Sequence, residues 1–350
     1  MLSNLAIFQD IFIKSSACLL VSFLVNFFLT KKYISYANRC QNLFQPIRDD
    51  GPQTHQNKCK TPTMGGFFII LSTLLSTLLF ADLSNNYILL ILFAFVTFGG
   101  IGLYDDLAKV LKNNCRGLRG SIKIVIQFTI TASIYLCLIT IEEYHLQGQI
   151  FLPLCGGVML AIGTVFYVLF VNFVIVGSAN SVNLTDGLDG LVSVPAIINL
   201  LCLITLCYIA ACPYNSKSHG ILFVQDSSEI IYFCFALIGS ILAFLRFNLR
   251  PAKIFMGDVG SLAIGATLGL IAVILKQEFI FFIISILFVS ETISVILQVG
   301  SYKIRKKRIF LMAPLHHHFE KLGWSEQKVV RAFWFSSLVF ALSGMSIILF

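Results

Sequence analysis

Residues 87–104 read YILLILFAFVTFGGIGLY, a run without a charge, and Asp105, Asp106 and Lys109 follow it at once. A bilayer core takes about 20 mainly apolar helical residues, and about 17 at the least. The run meets that length. Its apolar residues lie all round a helix, as in a segment surrounded by lipid or by other helices. It is therefore read as a membrane span that ends at a pair of carboxylates. Applied outward, the same test gives ten candidate spans: 7–29, 64–80, 87–104, 122–141, 156–177, 190–211, 229–246, 259–276, 279–299 and 332–350. The expected fold class is an all-α polytopic membrane protein of about ten transmembrane helices, one integral membrane domain over residues 1–350.

Composition agrees. The 350 residues are 57% hydrophobic and 12% charged, where soluble domains carry about 25% charged residues. This excludes a disordered chain, a fibrous protein and an ordinary soluble domain. The formal charge is +8, which in a soluble chain would suggest nucleic acid. Here 22 of the 25 Lys and Arg fall in the loops 30–63, 105–123, 246–258 and 300–331, with Lys14, Lys217 and Lys276 the exceptions. All four loops lie on one side if the spans alternate. The positive-inside rule makes that side cytoplasmic, and an even number of spans then puts both termini on the outer side. No nucleic-acid partner is implied. The 10 cysteines include no C-x-x-C pair and mostly sit in apolar runs, so they are read as small buried hydrophobes.

The acidic residues sort to the same side. Asp105 and Asp106 stand near the C-terminal end of a span, where the helix dipole opposes negative charge. An i,i+4 pair with Lys109 is the bland explanation; a metal or phosphate reaction is the sharper one. Asn183-Leu-Thr-Asp186-Gly-Leu-Asp189-Gly190 caps a helix well. If helical, it also sets two carboxylates on one face, with glycines that let a ligand approach. Asp258 opens the eighth span and capping alone would explain it, but not the preceding run with Asn248 and an exposed Phe255. His316-His317-His318 suits contact with phosphate or proton transfer better than zinc, because three consecutive histidines cannot converge on one ion from a regular element. Lys58, before Thr61-Pro-Thr-Met-Gly-Gly66, is placed to reach a phosphate. The P-loop, dinucleotide and nucleophile-elbow patterns are missing.

The strings TPTMGG, GLYDDLAK, NLTDGLDGL, FNLRPAKIFMGDVGSL and PLHHHFEKLGW resemble those of the phospho-N-acetylmuramoyl-pentapeptide-transferase family, in order, from Lys58 to Trp334. One departure is Lys60, where the family usually carries Gly. The resemblance implies a bacterial cytoplasmic-membrane enzyme with periplasmic termini and a cytoplasmic-face active site. Its Mg²⁺-dependent reaction would move a phospho-sugar from UDP-N-acetylmuramoyl-pentapeptide to undecaprenyl phosphate, releasing UMP. Membrane lipid would surround it, and family members form homodimers. By the same resemblance Asp258 is the metal ligand, and Asp105, Asp106, Asp258 and His316 are catalytic, with Asp105 activating the lipid phosphate. Lys58, Lys109 and Lys123 handle phosphate charge. Asn183, Asp186, Asp189, Asn248, Phe255, Gln298 and His317 line the donor side.

Direct attack by the lipid phosphate is the expected route, because that phosphate is already ionised near neutrality; an aspartyl intermediate is the alternative. The nearest rival is a related polyprenyl-phosphate N-acetylhexosamine-1-phosphate transferase with a simpler donor. A transporter is the more distant rival, with Glu291 inside the ninth span its best candidate residue.

Overall fold

The structure is a computed structural model and describes residues 2–40, 61–111, 117–141, 148–153 and 157–349. Lys58 lies outside the described residues. In chain order the helices are α1 (Leu2–Cys40), α2 (Gly65–Phe80), α3 (Asn86–Leu111), α4 (Gly120–Leu138), α5 (Thr164–Thr185), α6 (Ser193–Ala210), α7 (Pro213–Ser218), α8 (Ile230–Asn248), α9 (Gly257–Ile274), α10 (Glu278–Ile284), α11 (Ile286–Arg305), α12 (Leu315–Lys321) and α13 (Glu326–Leu349). Strands β1 (Gln149–Leu152) and β2 (Val158–Ala161) pair antiparallel between α4 and α5.

Helix α9 is the axis of the bundle. Every residue from Val259 to Ile274 is buried, and α2, α3, α5, α6 and α10 pack round it. Its sequence, GDVGSLAIGATLGLIAVI, explains this. Between apolar helices in lipid, association comes from van der Waals packing, and small residues let backbones close up. The helices outside it keep large apolar side chains outward, such as Leu79, Val125, Phe166, Phe173 and Phe335. These suit hydrocarbon rather than water.

Among the described residues, eight helices are long and apolar enough to cross a membrane: α1, α3, α4, α5, α6, α8, α9 and α13. The two remaining expected spans are helical but of other kinds. Helix α2 has only 16 residues. The ninth span is broken, with α10 and α11 meeting at 79°. Ser285 stands at the break and its hydroxyl donates to the Phe281 carbonyl at 2.5 Å, a back-bond that bends helices.

Two further expectations need correction. The fold is not wholly α, since the hairpin takes 158–161 out of the expected fifth span and α5 starts only at Thr164. A short apolar run does not distinguish strand from helix by periodicity. Here Gly163, at φ 81°, separates the two. In addition, α3 does not stop at Tyr104 but runs on to Leu111. Asp105, Asp106 and Lys109 are therefore helical residues, not loop residues.

Candidate active site

The site begins with the crossing of α3 and α9. Gly102 lies one turn before the carboxylate pair, and a Cβ there would overlap the Asp258 carbonyl. Only glycine permits this approach. The consequence is that Asp105, Asp106 and Asp258, from segments more than 150 residues apart, bring carboxylate oxygens within 4.8 Å of one another.

Each carboxylate has a distinct set of partners. Asp106 is 2% exposed, and its Oδ2 accepts the backbone N–H of Val259 at 3.2 Å. A side chain of α3 thus satisfies an open N–H at the start of α9, where a helix otherwise leaves donors unpaired. Asp258 is in the first turn of α9, but no side chain caps that turn from the N-cap position, which is Met256. The capping explanation of Asp258 therefore fails. Its Oδ2 instead meets Lys123 Nζ at 2.6 Å and Lys109 Nζ at 3.4 Å, while its Oδ1 accepts Asn183 Nδ2 at 2.9 Å. Asn183 also donates to Ser261 Oγ at 2.9 Å. Asp105 holds Lys109 Nζ at 2.6 Å and accepts the Leu118 N–H at 2.6 Å. Lys109 reaches Asp106 too, at 3.6 Å.

Three carboxylates face two ammonium groups, which leaves the fully ionised cluster one negative charge in excess. Hard oxygen donors with surplus negative charge fit a divalent cation such as Mg²⁺. The two lysines show that positive charge is already drawn to this point.

A second wall is made by the segments after α5 and α8. Residues 186–192 form turns, not a helix, so Asp186 and Asp189 do not share a helical face as the spacing allowed. Asp189 is buried, accepts the Ala252 N–H at 3.1 Å and donates its own N–H to Glu326 Oε1 at 3.1 Å. Asn248 accepts the Gly190 N–H at 2.9 Å and donates to the Ile254 carbonyl at 2.9 Å. These two side chains knit the wall together. Arg250 adds an ion pair to Glu326 at 3.2 Å. Asp186 is half-buried just past α5. Burial pushes its carboxyl up to about 8, and the charges of Asp258, Asp106 and Asp189 act in the same direction. Phe255 is half-buried rather than exposed. Its N–H donates to the Pro62 carbonyl at 2.9 Å and its carbonyl accepts the Gly65 N–H at 2.8 Å.

The three histidines do three different things. His316 is 1% exposed; its N–H donates to Glu291 Oε1 at 3.1 Å and its Nδ1 lies 3.0 Å from Glu291 Oε2. Among the described residues its Nε2 has no hydrogen-bond partner; it lies against Gly187, between Asp186 and Leu188. His317 Nδ1 pairs with Glu320 at 2.8 Å, and its ring centroid is 4.2 Å from that of His316. His318 Nδ1 accepts the Leu311 N–H at 3.2 Å, bracing the preceding loop. Gln298 braces the same loop, accepting the N–H groups of Ile309 and Phe310 and donating to the Phe310 carbonyl at 2.9 Å.

Glu291 is the residue that sequence reasoning weighed for the wrong purpose. It is fully buried and holds His316 by two contacts. The available signal was a lone carboxylate in an apolar span, which needs a partner. That the partner is a histidine 25 residues later was not legible.

Of the expected site residues, Asp105, Asp106, Lys109, Lys123, Asn183 and Asp258 form one bonded cluster. Asp186, Asp189, Asn248 and Phe255 form or adjoin the second wall, and His316 reaches it at Gly187. His317 is beside His316, and Gln298 lies behind them.

Comparison with known proteins agrees with this geometry. Residues 88–276 match the profile of glycosyl transferase family 4. Over 343 residues the chain is 46% identical to the phospho-N-acetylmuramoyl-pentapeptide-transferase of Rickettsia felis, covering 97% of this chain and 94% of the relative. The enzyme of the same name from Rickettsia montanensis gives the same figures, 46% over 343 residues with 97% and 94% covered. That of Rickettsia bellii is 45% identical over 344 residues, again with 97% and 94% covered. With near-complete coverage at this identity, and with the quoted motifs meeting at one cluster, the chain belongs to the phospho-N-acetylmuramoyl-pentapeptide-transferase family of glycosyl transferase family 4.

Proposed function

We propose that the protein transfers phospho-N-acetylmuramoyl-pentapeptide from its UDP-linked donor to undecaprenyl phosphate, releasing UMP. The observation that carries this is the excess of carboxylate over lysine where α3 meets α9, in a chain of this family. In the reaction a lipid phosphate oxygen forms a bond to the sugar-linked phosphorus. The bond from that phosphorus to the UMP oxygen breaks, and UMP leaves with the electron pair. No external base is required if the lipid phosphate is ionised.

The chain's own residues have separable tasks. Lys109 and Lys123 offset the repulsion between two anionic reactants. Asp258 and Asp105 would hold Mg²⁺, which when bound supplies further charge neutralisation at phosphate oxygens. Asp106 keeps the start of α9 in register with α3, through the Val259 N–H. Asn183 orients Asp258. His316, fixed by Glu291 at Nδ1, turns Nε2 toward the Asp186 wall, where it would donate to a diphosphate oxygen when protonated. His317, Asp186 and Phe255 would contact the donor, and Asp189, Asn248 and Gln298 would shape the surface it meets. Lys58 keeps its expected phosphate role from the motif alone.

The same reading places the protein in the bacterial inner membrane with ten spans, short α2 and the bent α10–α11 pair included. Both termini would be periplasmic and the carboxylate cluster cytoplasmic, and the bias of the lysines and arginines supports this. A homodimer follows from the family resemblance alone.

The test is UMP release by the purified protein with polyprenyl phosphate and Mg²⁺. The UDP-linked pentapeptide donor should support turnover and UDP-N-acetylglucosamine should not. Equal use of both donors would favour the related N-acetylhexosamine-1-phosphate transferases. UMP formed stoichiometrically without acceptor would favour the aspartyl intermediate.

A further inference from the structure

Helix α11 leaves the bundle after the 79° bend and ends in a fixed basic turn. Only Leu287, Phe288, Glu291 and Ser294 of this helix are buried. Its other face carries Ile293, Ile296, Leu297 and Val299, each between 47% and 63% exposed. The eight residues from Tyr302 to Ile309 are then all exposed. Five of them are Lys303, Arg305, Lys306, Lys307 and Arg308, and Ile304 and Ile309 stand among them.

This turn is not a loose loop. Lys306 takes the left-handed conformation at φ 55° and its N–H donates to the Tyr302 carbonyl at 3.1 Å. Ser301 Oγ donates to the Lys307 carbonyl at 2.8 Å. Gln298 fixes Ile309 and Phe310 through their N–H groups. The positive charges are therefore presented from a set backbone, and among the described residues Lys303, Arg305, Lys307 and Arg308 form no ion pair within the chain.

We propose that this basic turn is a binding surface for anionic phospholipid headgroups. Two observations point to lipid rather than to an acidic protein. The apolar face of the same helix continues straight into the turn, so the charges sit where hydrocarbon gives way to headgroups. Exposed Ile304 and Ile309 interleave with the charges, which sets apolar side chains and cations on one surface, the pairing that an interfacial segment uses. Basic residues beside a membrane are drawn to an anionic leaflet.

The test uses the full-length protein in detergent, titrated with phosphatidylglycerol or with phosphatidylcholine and read by native mass spectrometry. Phosphatidylglycerol should bind more tightly than phosphatidylcholine, and the preference should weaken as salt rises. The variant R305Q/K307Q/R308Q should lose phosphatidylglycerol affinity by about tenfold or more. Lys217→Gln, an exposed lysine on α7, should not change it. A melting curve matching the parent's would show that the triple variant is folded; if it is not, Lys307→Gln alone should still shift affinity several-fold. Equal affinity for the two lipids, or an unchanged preference in the folded variant, would overturn the proposal.

Discussion

The two ends of α9 each carry a buried charge cluster, about 27 Å apart by helical rise, and they are built on opposite plans. At the Asp258 end three carboxyl groups meet two lysines, an excess of acidic over basic groups. At the other end Lys276, 2% exposed, lies 3.8 Å from the Tyr167 ring centroid and donates to the Gln149 carbonyl at 3.2 Å. Glu278, 3% exposed, accepts the Tyr167 hydroxyl at 2.8 Å. There one lysine is matched by one carboxyl group: Lys276 bonds the β-hairpin, and Glu278 bonds α5 through Tyr167. A balanced cluster locks a joint. An unbalanced one retains the capacity to bind something charged. Burial of charge alone would not have separated the two.

Mutations should separate them in order of effect on activity. Asp258→Ala removes the carboxylate that both lysines and Asn183 address, so turnover measured as UMP release should fall by about 10²–10³ or more. Near-parental turnover would mean the unbalanced cluster is structural as well. Gly102→Ala inserts a Cβ against the Asp258 backbone and pushes α3 away from α9; a shift of about 1 Å should lower kcat by about 10². Gly100→Ala is the control, since a Cβ there has nothing within 4 Å. If the two alanines behave alike, the close crossing does not set the site.

Glu291→Gln keeps the shape but removes the charge that holds His316 Nδ1–H. Loss of such an orienting partner typically lowers activity by about 10–100-fold. It should act on kcat more than on KM. At the hairpin end the expected pattern reverses. Lys276→Met leaves Glu278 buried without its counter-charge, which costs about 3–5 kcal/mol and should lower the melting temperature. The double change Lys276→Met with Glu278→Leu should recover part of the loss. Activity per folded molecule should stay near the parent's in both. A selective loss of turnover in Lys276→Met would show that the two ends are coupled.

Much of this was legible in the sequence, for identifiable reasons. Long apolar runs announce spans because lipid imposes a length and forbids charge. The motif aspartates stood out because acidic residues crowd at span ends on one side, and the roles of Lys109, Lys123 and Asn183 followed from the family resemblance. What misled was local. Tyr104 looked like the end of a helix because charges follow it, yet α3 continues to Leu111. Residues 158–161 looked like part of a span and form a strand. Asp186 and Asp189 looked as if they could share a helical face, but residues 186–192 form turns.

The amino-acid sequence by itself determined the solvent, most of the spans and the acidic motifs at their ends, because hydrophobic length and residue type are one-dimensional properties. Only the tertiary structure decided how the charges are shared. Asp106 serves the start of α9, Asp258 faces the lysines, Glu291 holds His316, Lys276 holds the hairpin and Glu278 holds Tyr167 of α5. The physical reason is that electrostatic and hydrogen-bond energies depend on distances of a few ångströms between residues far apart in the chain, and the close packing of glycine and alanine against α9 sets those distances.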